Sequence, residues 1–376
     1  MVLPQENAGN PKAKSAIMNR DPARGANSMK KTTLAIVCLA LMPVLRLNAA
    51  TPHPAASISN GKIKATLYLP DATNGFYRGT RFDWSGIVSS LEFAGHRYYG
   101  PWFQRFNPAV SDYVYDGGDI VAGACSAIMG VPEEFTASPD NLPLGWKEAP
   151  VGGTFVKIGV GALRKPDNQP YSNYRLYEIA NGGQRTVRKT ASSVEFTQAL
   201  SDPGSGYGYV YTKRVSLTPG KPQMTIEHTL RNTGKRTIRT SVYDHNFTSI
   251  DRLAPGPGLS IRFGFDARPV QPFGAMPLEM KDGRLLFTRV LTGEDKVADL
   301  FQGFGASARD YNIRIEDRRA GAGVHITGDR PLVKVNLWGI RTVIAPEPFI
   351  GMTIAPGAEF TWKIVYDYYT LAKDAQ

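Results

Sequence analysis

Apolar and polar residues alternate with a period of two along much of the chain, which is the pattern of half-buried strands. The stretch 62–69 alternates lysine, threonine and tyrosine with isoleucine, alanine and leucine, and 360–368 places aromatic residues and isoleucine at every second position. No segment keeps a 3.6-residue apolar period over four turns. The pattern predicts a mostly antiparallel β protein with further strands over 155–163, 209–217, 224–230 and 311–326.

Turn residues punctuate these predicted strands. The 38 glycines and 27 prolines are scattered rather than concentrated in a linker, and Asn60-Gly61 predicts a type I′ hairpin turn. Pro219-Gly220 and Gly328-Asp329 mark other turns. With no low-complexity tract and no repeat of fixed period, residues 51–376 are expected to form a single β domain, in which the irregular stretch 100–150 forms long loops.

The first 50 residues are predicted to be a leader outside the fold. Met29-Lys30-Lys31 precedes the apolar run 34–45, and Asn48-Ala49-Ala50 offers small residues for a signal peptidase. The run is shorter than the roughly 20 residues that span a bilayer, so no stable membrane span is expected. We interpret Met29 as the true translation start and expect a periplasmic or secreted protein.

Removing this leader changes the charge balance. The whole chain has a net charge of +11, of which residues 1–50 contribute +5, so the remainder has a net charge of +6. The remaining basic residues form no stripe interleaved with aromatics, and no nucleic-acid partner is expected. Cys125 would be the only cysteine of the mature chain, which excludes an intrachain disulfide and disfavours a structural zinc site. We predict no metal and no cofactor.

Two short stretches contain residue types suited to acid/base chemistry. His245 lies in Asp244-His245-Asn246, and Glu347 lies in Pro346-Glu347-Pro348. Opening a cyclic sugar needs a base for the proton of the anomeric hydroxyl and an acid for the ring oxygen. Both residues also have non-catalytic interpretations. The histidine can end a strand through local hydrogen bonds, and the glutamate can be solvated at a strand end.

Both stretches resemble the galactose mutarotase-like superfamily, which includes aldose 1-epimerases and hexose-6-phosphate epimerases. Asn232-Thr-Gly followed by 240–247 is similar to the strand, turn and strand that end in the family's catalytic histidine, and Glu347-Pro348 with Gly357-x-Glu359 is similar to the epimerase pattern around its base. The resemblance implies an antiparallel β-supersandwich that binds a mono- or oligosaccharide, with His245 as the acid and Glu347 as the base.

The chain departs from the family in one respect. Family members usually have a second, upstream histidine that helps to hold the sugar, whereas residues 144–149 contain none. Glu133, Glu134, Lys147 or His96 are candidates for its place. A carboxylate pair made of Glu133 or Glu134 with the downstream glutamate would instead suit cleavage of a glycosidic bond.

A third stretch, Tyr77 to Trp84, combines arginines with aromatic residues. Arg78 and Arg81 are expected to grip hydroxyls or a carboxylate, and Trp84 to stack on the apolar face of a sugar. An Arg–Asp pair that braces a strand with core aromatics is the alternative. The family also places a ligand-binding arginine early in its chain.

Three hypotheses about function follow from these residues. The first is an exported isomerase of the aldose 1-epimerase type, in which Arg78, Arg81, Trp84, His96 and Glu134 assist the catalytic pair. The second is a glycan hydrolase or lyase on the same fold. The third is a non-catalytic carbohydrate-binding protein of the cell envelope. Fold alone does not separate them, because function resides in the site.

Overall fold

The structure is a computed structural model that describes residues 53–136 and 140–372, and these residues form β-sheets. The strands, in chain order, are β1 (Ala55–Ser59), β2 (Ile63–Tyr68), β3 (Ile87–Phe93), β4 (His96–Arg97), β5 (Arg105–Phe106), β6 (Tyr113–Asp116), β7 (Asp119–Ala122), β8 (Glu133–Thr136), β9 (Thr154–Lys157), β10 (Gly161–Arg164), β11 (Ile179–Asn181), β12 (Gln184–Lys189), β13 (Ser193–Asp202), β14 (Tyr207–Leu217), β15 (Gln223–Asn232), β16 (Ile238–Asp244), β17 (Leu259–Phe263), β18 (Arg268–Pro269), β19 (Leu278–Lys281), β20 (Arg284–Phe287), β21 (Lys296–Gln302), β22 (Asn312–Asp317), β23 (Ala322–Gly328), β24 (Leu332–Ile340), β25 (Val343–Ile354) and β26 (Glu359–Thr370).

Two large sheets pack face to face. The ten-stranded sheet has the order β12-β13-β14-β15-β26-β23-β22-β17-β20-β19, and the six-stranded sheet has the order β18-β21-β24-β25-β16-β8. Three smaller sheets have the orders β1-β2-β3-β4, β11-β10-β9 and β5-β7-β6. Within the described residues β5 and β7 pair in parallel, and the other strand pairs are antiparallel. The predicted all-β antiparallel fold class is confirmed.

Most of the predicted strands are present, and two of the predicted stretches are hairpins. The stretch 155–163 divides into β9 and β10 around Gly159, and 311–326 divides into β22 and β23 with Gly321 in the turn. Both glycines have φ in the left-handed region, at 82° and 72°, which lets the chain reverse where a pattern of period two continues on both sides. Two 3₁₀ turns, Ile250–Arg252 and Ala308–Asp310, are the only helical elements among the described residues.

The hairpin predicted at Asn60-Gly61 is present, but its type I′ geometry is not. β1 pairs with β2 across this turn, and Gly61 has a φ of 82° whereas Asn60 is not in the left-handed region. A type I′ turn needs both. The Asn60 side chain accepts hydrogen bonds from the backbone N–H groups of Lys62 and Ile63, both at 3.0 Å, so it closes the turn itself.

The prediction of long loops over 100–150 is wrong in part. This stretch contains four short strands, β5 to β8, each of two to four residues. They are too short for their alternation to stand out from the surrounding glycines and prolines. The last of them, β8, forms the edge of the six-stranded sheet beside β16, and this strand contributes to the candidate site.

Both faces of the six-stranded sheet are covered. On one face, Phe135 packs edge-on against Tyr211 of the ten-stranded sheet, with ring centroids 5.4 Å apart. On the other face, loops and small sheets contribute a second apolar cluster that includes Phe82, Trp102 and Phe247. A strand buried on both faces reads as a continuous apolar run, and Glu347 interrupts such a run in β25.

In the part of the chain that the structure describes, no helix is long and apolar enough to cross a membrane. The predicted leader, its cleavage site and Met29 lie outside the described residues.

Candidate functional site

The six-stranded sheet presents one row of polar side chains away from the ten-stranded sheet, and we call this surface the site face. Strand pairing aligns Asn336 of β24 with Glu347 of β25, and it aligns Tyr243 of β16 with Phe349 and with Glu134 of β8. Because successive residues of a strand point to opposite faces, these five side chains share the site face. Residues remote in sequence are therefore brought together by strand register.

His245 and Glu347 are in direct contact on the site face. His245 Nε2 lies 3.0 Å from Glu347 Oε1, and each side chain is only 6% exposed. Asn336 Nδ2 donates a hydrogen bond of 2.6 Å to the other carboxylate oxygen. Burial raises the pKa of Glu347, but His245, Asn336 and Arg81 together outweigh burial and hold that pKa below its usual value. Glu347 is therefore ionised at neutral pH.

The backbone after β16 fixes the position of the imidazole. The His245 N–H donates to the Pro132 carbonyl at 2.8 Å, and the Phe247 N–H donates to the Gly130 carbonyl at 2.9 Å. Gly130 has a φ of 78°, and a Cβ there would lie 2.3 Å from the Val88 carbonyl oxygen, so the close approach of these segments requires glycine. These backbone hydrogen bonds after the end of β16 thus aim the imidazole along the site face.

Aromatic rings surround the imidazole. The His245 and Phe247 rings are stacked, with centroids 3.8 Å apart, and the rings of Phe82 and Trp338 approach it edge-on at 5.8 and 5.5 Å. His245 Nδ1 is buried and has no hydrogen-bond partner among the described residues. An unpaired polar atom in an apolar wall is costly, and it marks a position where a ligand group would be favoured.

A small cavity lies over the His245–Glu347 pair. Its volume is about 120 Å³, below the roughly 300–1,000 Å³ of typical ligand pockets. Its lining combines aromatic and polar side chains and comprises Arg81, Phe82, Trp102, Asp112, Ser126, Tyr174, His245, Phe247, Asn336, Trp338 and Glu347. This mixture of flat apolar surfaces and hydrogen-bonding groups suits a sugar ring.

Arg81 reaches the cavity from the third predicted stretch and is anchored by Glu134. Arg81 Nε lies 2.7 Å from Glu134 Oε2, and Lys157 Nζ lies 2.8 Å from Glu134 Oε1. Tyr243 donates a further hydrogen bond of 2.6 Å to the same carboxylate. Burial raises the pKa of Glu134, but Lys157 and Arg81 outweigh burial and lower that pKa to about 2. Glu134 is therefore ionised at neutral pH, and its carboxylate holds the Arg81 guanidinium in place.

The other sequence-predicted binding residues lie elsewhere. Trp84 is buried, and its indole donates to the Gly79 carbonyl at 2.8 Å. Arg78 donates to the Thr73 carbonyl at 2.6 Å and lines a different surface depression. His96 pairs with Asp251 at 2.7 Å on the outer surface. These three side chains do not line the cavity, and their sugar-binding role remains a sequence prediction without support from this geometry.

The remaining substitutes for the family's upstream histidine also lie outside the cavity. Glu133 precedes Glu134 in β8 and therefore faces the space between the two large sheets, where it contacts Lys213 at 2.9 Å. Lys147 is exposed and pairs with Asp140. Among the described residues, the structure brings His245, Glu347, Arg81 and its partner Glu134 together at this site.

Several residues that contribute to the site were not singled out from the sequence. Asn336 and Trp338 share the site face with Lys334, because all three lie at alternate positions of β24. The alternation Lys-Val-Asn-Leu-Trp indicates that these three residues lie on one face of a strand. The sequence does not show which strand β24 pairs with. Tyr174 lies in a loop that covers the cavity, and such loop contacts leave no periodic signal.

The described residues contain no group of three or more histidine, cysteine, aspartate or glutamate side chains that could hold a metal ion. The arrangement at the cavity is therefore described by its proton donors and acceptors. It offers the imidazole of His245, the carboxylates of Glu347 and Asp112, the amide of Asn336, the guanidinium of Arg81 and the hydroxyls of Ser126 and Tyr174, beside aromatic rings. Such a set can transfer protons to and from hydroxyl groups and ring oxygens.

No family model matches the chain, and no curated protein matches it. Solved structures that do match include a galactose mutarotase-like protein from Clostridium acetobutylicum, 12% identical over 84% of this chain and 95% of that chain, with a TM-score of 0.48. Another is the aldose epimerase homologue from C. elegans, 13% identical over 85% and 99%, with a TM-score of 0.47. A third is galactose 1-epimerase from Lactobacillus acidophilus NCFM, 10% identical over 85% and 95%, with a TM-score of 0.45.

These likenesses, at 10–13% identity and TM-scores of 0.45–0.48, assign no activity to this chain. Any assignment of an activity has to come from the site itself.

Proposed function

We propose that this protein binds a sugar unit over the site face and interconverts its anomers by acid/base catalysis. The observation that carries the proposal is the contact of His245 with Glu347 at 3.0 Å beneath a cavity with aromatic walls. Both residues were selected from the sequence for opposite roles in one reaction, and the strand register brings them to one place. The resemblance of their sequence motifs to those of sugar epimerases supports the same reaction.

In the proposed reaction Glu347 takes the proton of the anomeric hydroxyl while protonated His245 gives a proton to the ring oxygen. The C1–O5 bond breaks, the open-chain aldehyde forms, the C1–C2 bond rotates, and the reverse transfers close the ring on the other side. Glu347 is ionised as a base must be, because its pKa lies below the usual value. The reverse transfers return one proton to His245 and remove one from Glu347, so the pair resets without a net change of charge.

A sugar has to enlarge the cavity before it can bind, since a volume of about 120 Å³ is too small. The wall most able to move is Tyr174, which is 38% exposed, lies outside the named strands and packs over the Arg81 guanidinium at 5.2 Å. Displacing this ring would open the cavity toward solvent. The sheet residues that form the floor would stay in place.

The geometry of Glu134 argues against the alternative of a hydrolase that uses two carboxylates. Such an enzyme needs a carboxylic acid with a raised pKa as the proton donor. Glu134 has a pKa of about 2 and is held by Arg81 and Lys157, and Glu133 lies on the opposite face of the sheet. Neither glutamate is suited to donate a proton at neutral pH.

We also propose that the protein is exported to the periplasm or the medium, because residues 29–50 have the pattern of a signal peptide. Expression of the whole chain in a bacterium, followed by amino-terminal sequencing of the mature protein, tests it. A mature protein that begins close to Ala50 in the periplasmic or culture fraction is expected. An uncleaved protein in the cytoplasm would contradict it.

The catalytic proposal is tested by the rate at which freshly dissolved aldoses reach anomeric equilibrium, followed by polarimetry. Protein at micromolar concentration is expected to accelerate the approach for at least one of a panel of hexoses, pentoses and hexuronic acids. Glu347→Gln should abolish the acceleration, while Glu359→Gln, on the exposed edge of β26, should leave it unchanged. An unchanged rate for every sugar with the natural protein would overturn the proposal, and sugar binding without turnover would leave a binding protein.

A further inference from the structure

Lys334 is a charged side chain of the site face to which the proposed reaction gives no role. It lies two residues before Asn336 in β24, so a strand rise of about 3.3 Å per residue separates the two by about 7 Å. Its ammonium lies over the Phe349 ring, 3.7 Å from the centroid. Lys334, Asn336 and Trp338 are all half-buried, whereas the floor residues on β25 are buried, so the cavity borders solvent along β24.

The anions near Lys334 already have partners. Glu347 is bound by His245 and Asn336, and Glu134 is bound by Arg81 and Lys157. Across the cavity, Asp112 accepts a hydrogen bond of 2.5 Å from Ser126. Among the described residues, Lys334 has no ion-pair or hydrogen-bond partner. Its ammonium makes a cation–π contact with the Phe349 ring.

A half-buried ammonium over an aromatic ring is held at one place but is not neutralised. The ring contact contributes about 0.5–1 kcal/mol at an exposed position, which is less than a charge-assisted hydrogen bond provides. Lysine is a compact point charge on a flexible four-carbon stem, so its ammonium can follow a ligand over a short distance. Lys334 does not line the cavity itself, but it presents one positive charge on the site face beside Asn336, which does.

We propose that the sugar bound at this site has one negative charge, held by Lys334, and that the substrate is a hexuronic acid unit. This inference rests on the proposed function, because it places the anomeric carbon at Glu347. A sugar ring whose anomeric hydroxyl meets Glu347 and that extends along β24 past Asn336, away from Trp338, places a substituent on its far side near Lys334. A uronate carboxylate supplies a single charge, which matches the single unpaired ammonium, whereas a phosphate monoester has a charge of about −1.5 to −2 at pH 7.

Binding of matched methyl glycosides, measured by isothermal titration calorimetry, tests the inference without requiring turnover. Methyl glucuronoside and methyl galacturonoside are compared with the neutral glucoside and galactoside, which have the same rings. The natural protein should bind the acidic sugar of a pair about 10- to 100-fold more tightly. Lys334→Met should abolish this preference and leave the affinity for the neutral sugar unchanged, and Lys334→Arg should restore most of it.

Lys363→Met, on the exposed face of β26, is the matched control and should retain the preference. A hexose 6-sulfate and a hexose 6-phosphate test the nature of the charge. Tightest binding of the phosphate, by tenfold or more over the uronate, would contradict the assignment of a single negative charge.

The outcomes separate this inference from the catalytic proposal. Equal affinity for acidic and neutral sugars in the natural protein, or a preference that survives Lys334→Met, overturns the role of Lys334 even if neutral sugars are interconverted. Preference for uronates without anomer exchange overturns the catalytic proposal and leaves the acidic ligand. If no sugar of either kind binds or reacts, both are wrong.

Discussion

The described part of the chain contains two buried glutamate–histidine pairs, one on each face of the six-stranded sheet. On the site face His245 Nε2 lies 3.0 Å from Glu347, and between the large sheets His228 Nε2 lies 2.8 Å from Glu133. The first pair lines a cavity. The second is completely buried, at 0% exposure of both side chains, and Lys213 Nζ lies 2.9 Å from the same glutamate.

The surroundings give the same two residue types different roles. The interior pair is covered by Trp362, whose ring stacks on His228 with centroids 4.3 Å apart, and Tyr211 donates a hydrogen bond of 2.9 Å to Glu133. The near contact of Glu133 with His228 lacks the alignment of a linear hydrogen bond and is mainly electrostatic. No ligand has room there. A pairing of acid and base indicates a reactive site only where a cavity adjoins it.

The largest expected effect comes from removing each imidazole in turn. His245→Asn should lower the rate of anomer exchange by about 10²- to 10⁴-fold, since it removes the proton donor. His228→Asn should change the rate per folded molecule by less than about threefold, because His228 does not reach the cavity. Polarimetry on samples whose folded fraction is measured by circular dichroism checks both. Similar losses in the two variants would remove the distinction between the pairs.

The two glutamates should differ in their effect on stability. Glu133→Ala removes the nearer carboxylate of the buried Lys213 and leaves it only Asp83, at 3.7 Å, so it should lower the free energy of unfolding by about 3–5 kcal/mol. Glu347→Ala leaves His245 without its partner on a cavity wall and should cost about 1–3 kcal/mol. Urea unfolding at pH 7 measures both values. If both variants lose the same free energy of unfolding, burial between the large sheets does not make the loss of a glutamate more costly, and the prediction is wrong.

Acid should affect carboxylates on the two faces in opposite directions. The pKa of Glu134 is about 2 in the folded protein, below its ordinary value of 4.5. Its stabilising contribution, on the order of 3 kcal/mol, is complete above about pH 4.5 and is lost as the pH falls toward 2. Burial raises the pKa of Asp244 well above its ordinary value of 3.8, so Asp244 destabilises the folded state increasingly as the pH rises above 3.8.

The matched variants Glu134→Gln and Asp244→Asn separate these contributions. Glu134→Gln should be more destabilising at pH 7 than at pH 3, and Asp244→Asn should be less destabilising at pH 7 than at pH 3. Urea midpoints at the two values of pH provide the measurement. The same pH dependence in both variants would contradict the opposite signs.

The smallest expected effect concerns a third pair, at the surface. His96 Nδ1 lies 2.7 Å from Asp251, with side-chain exposures of 21% and 31%. Partly exposed pairs of this kind contribute about 1 kcal/mol or less. His96→Ala should therefore shift the urea midpoint slightly and leave anomer exchange unchanged. A tenfold loss of activity would restore His96 to the site as the substitute for the missing family histidine.

The sequence predicted the all-β fold class, which the structure confirms, and it singled out His245 and Glu347, which the structure places in contact. Alternation of period two is visible in any strand that is half-buried, and it predicted β2, β14, β15 and β26. His245 and Glu347 were recognisable because the short motifs around them, 240–247 and Glu347-Pro348, resemble those of the epimerases. Both signals are local in the chain.

What the sequence did not reveal depends on long-range contacts. Asn336 and Lys334 reach the site only through the register of β24 on β25, which alternation alone does not specify. The choice between Glu133 and Glu134 depended on β8, a strand of four residues that was taken for loop. Trp84 is a residue type that often stacks on sugars, but here its indole donates a hydrogen bond to the Gly79 carbonyl and the side chain is buried in the core.

Magnetisation-exchange NMR on aldoses at anomeric equilibrium tests the central claim most directly, because it measures the exchange rate between the two anomers without any change in composition. The natural protein and Glu133→Gln, compared at equal concentration of folded molecules, should both accelerate exchange of at least one sugar, and Glu347→Gln should not. Loss of exchange in Glu133→Gln with retention in Glu347→Gln, or no acceleration by any of the three, would contradict the assignment of catalysis to the site face.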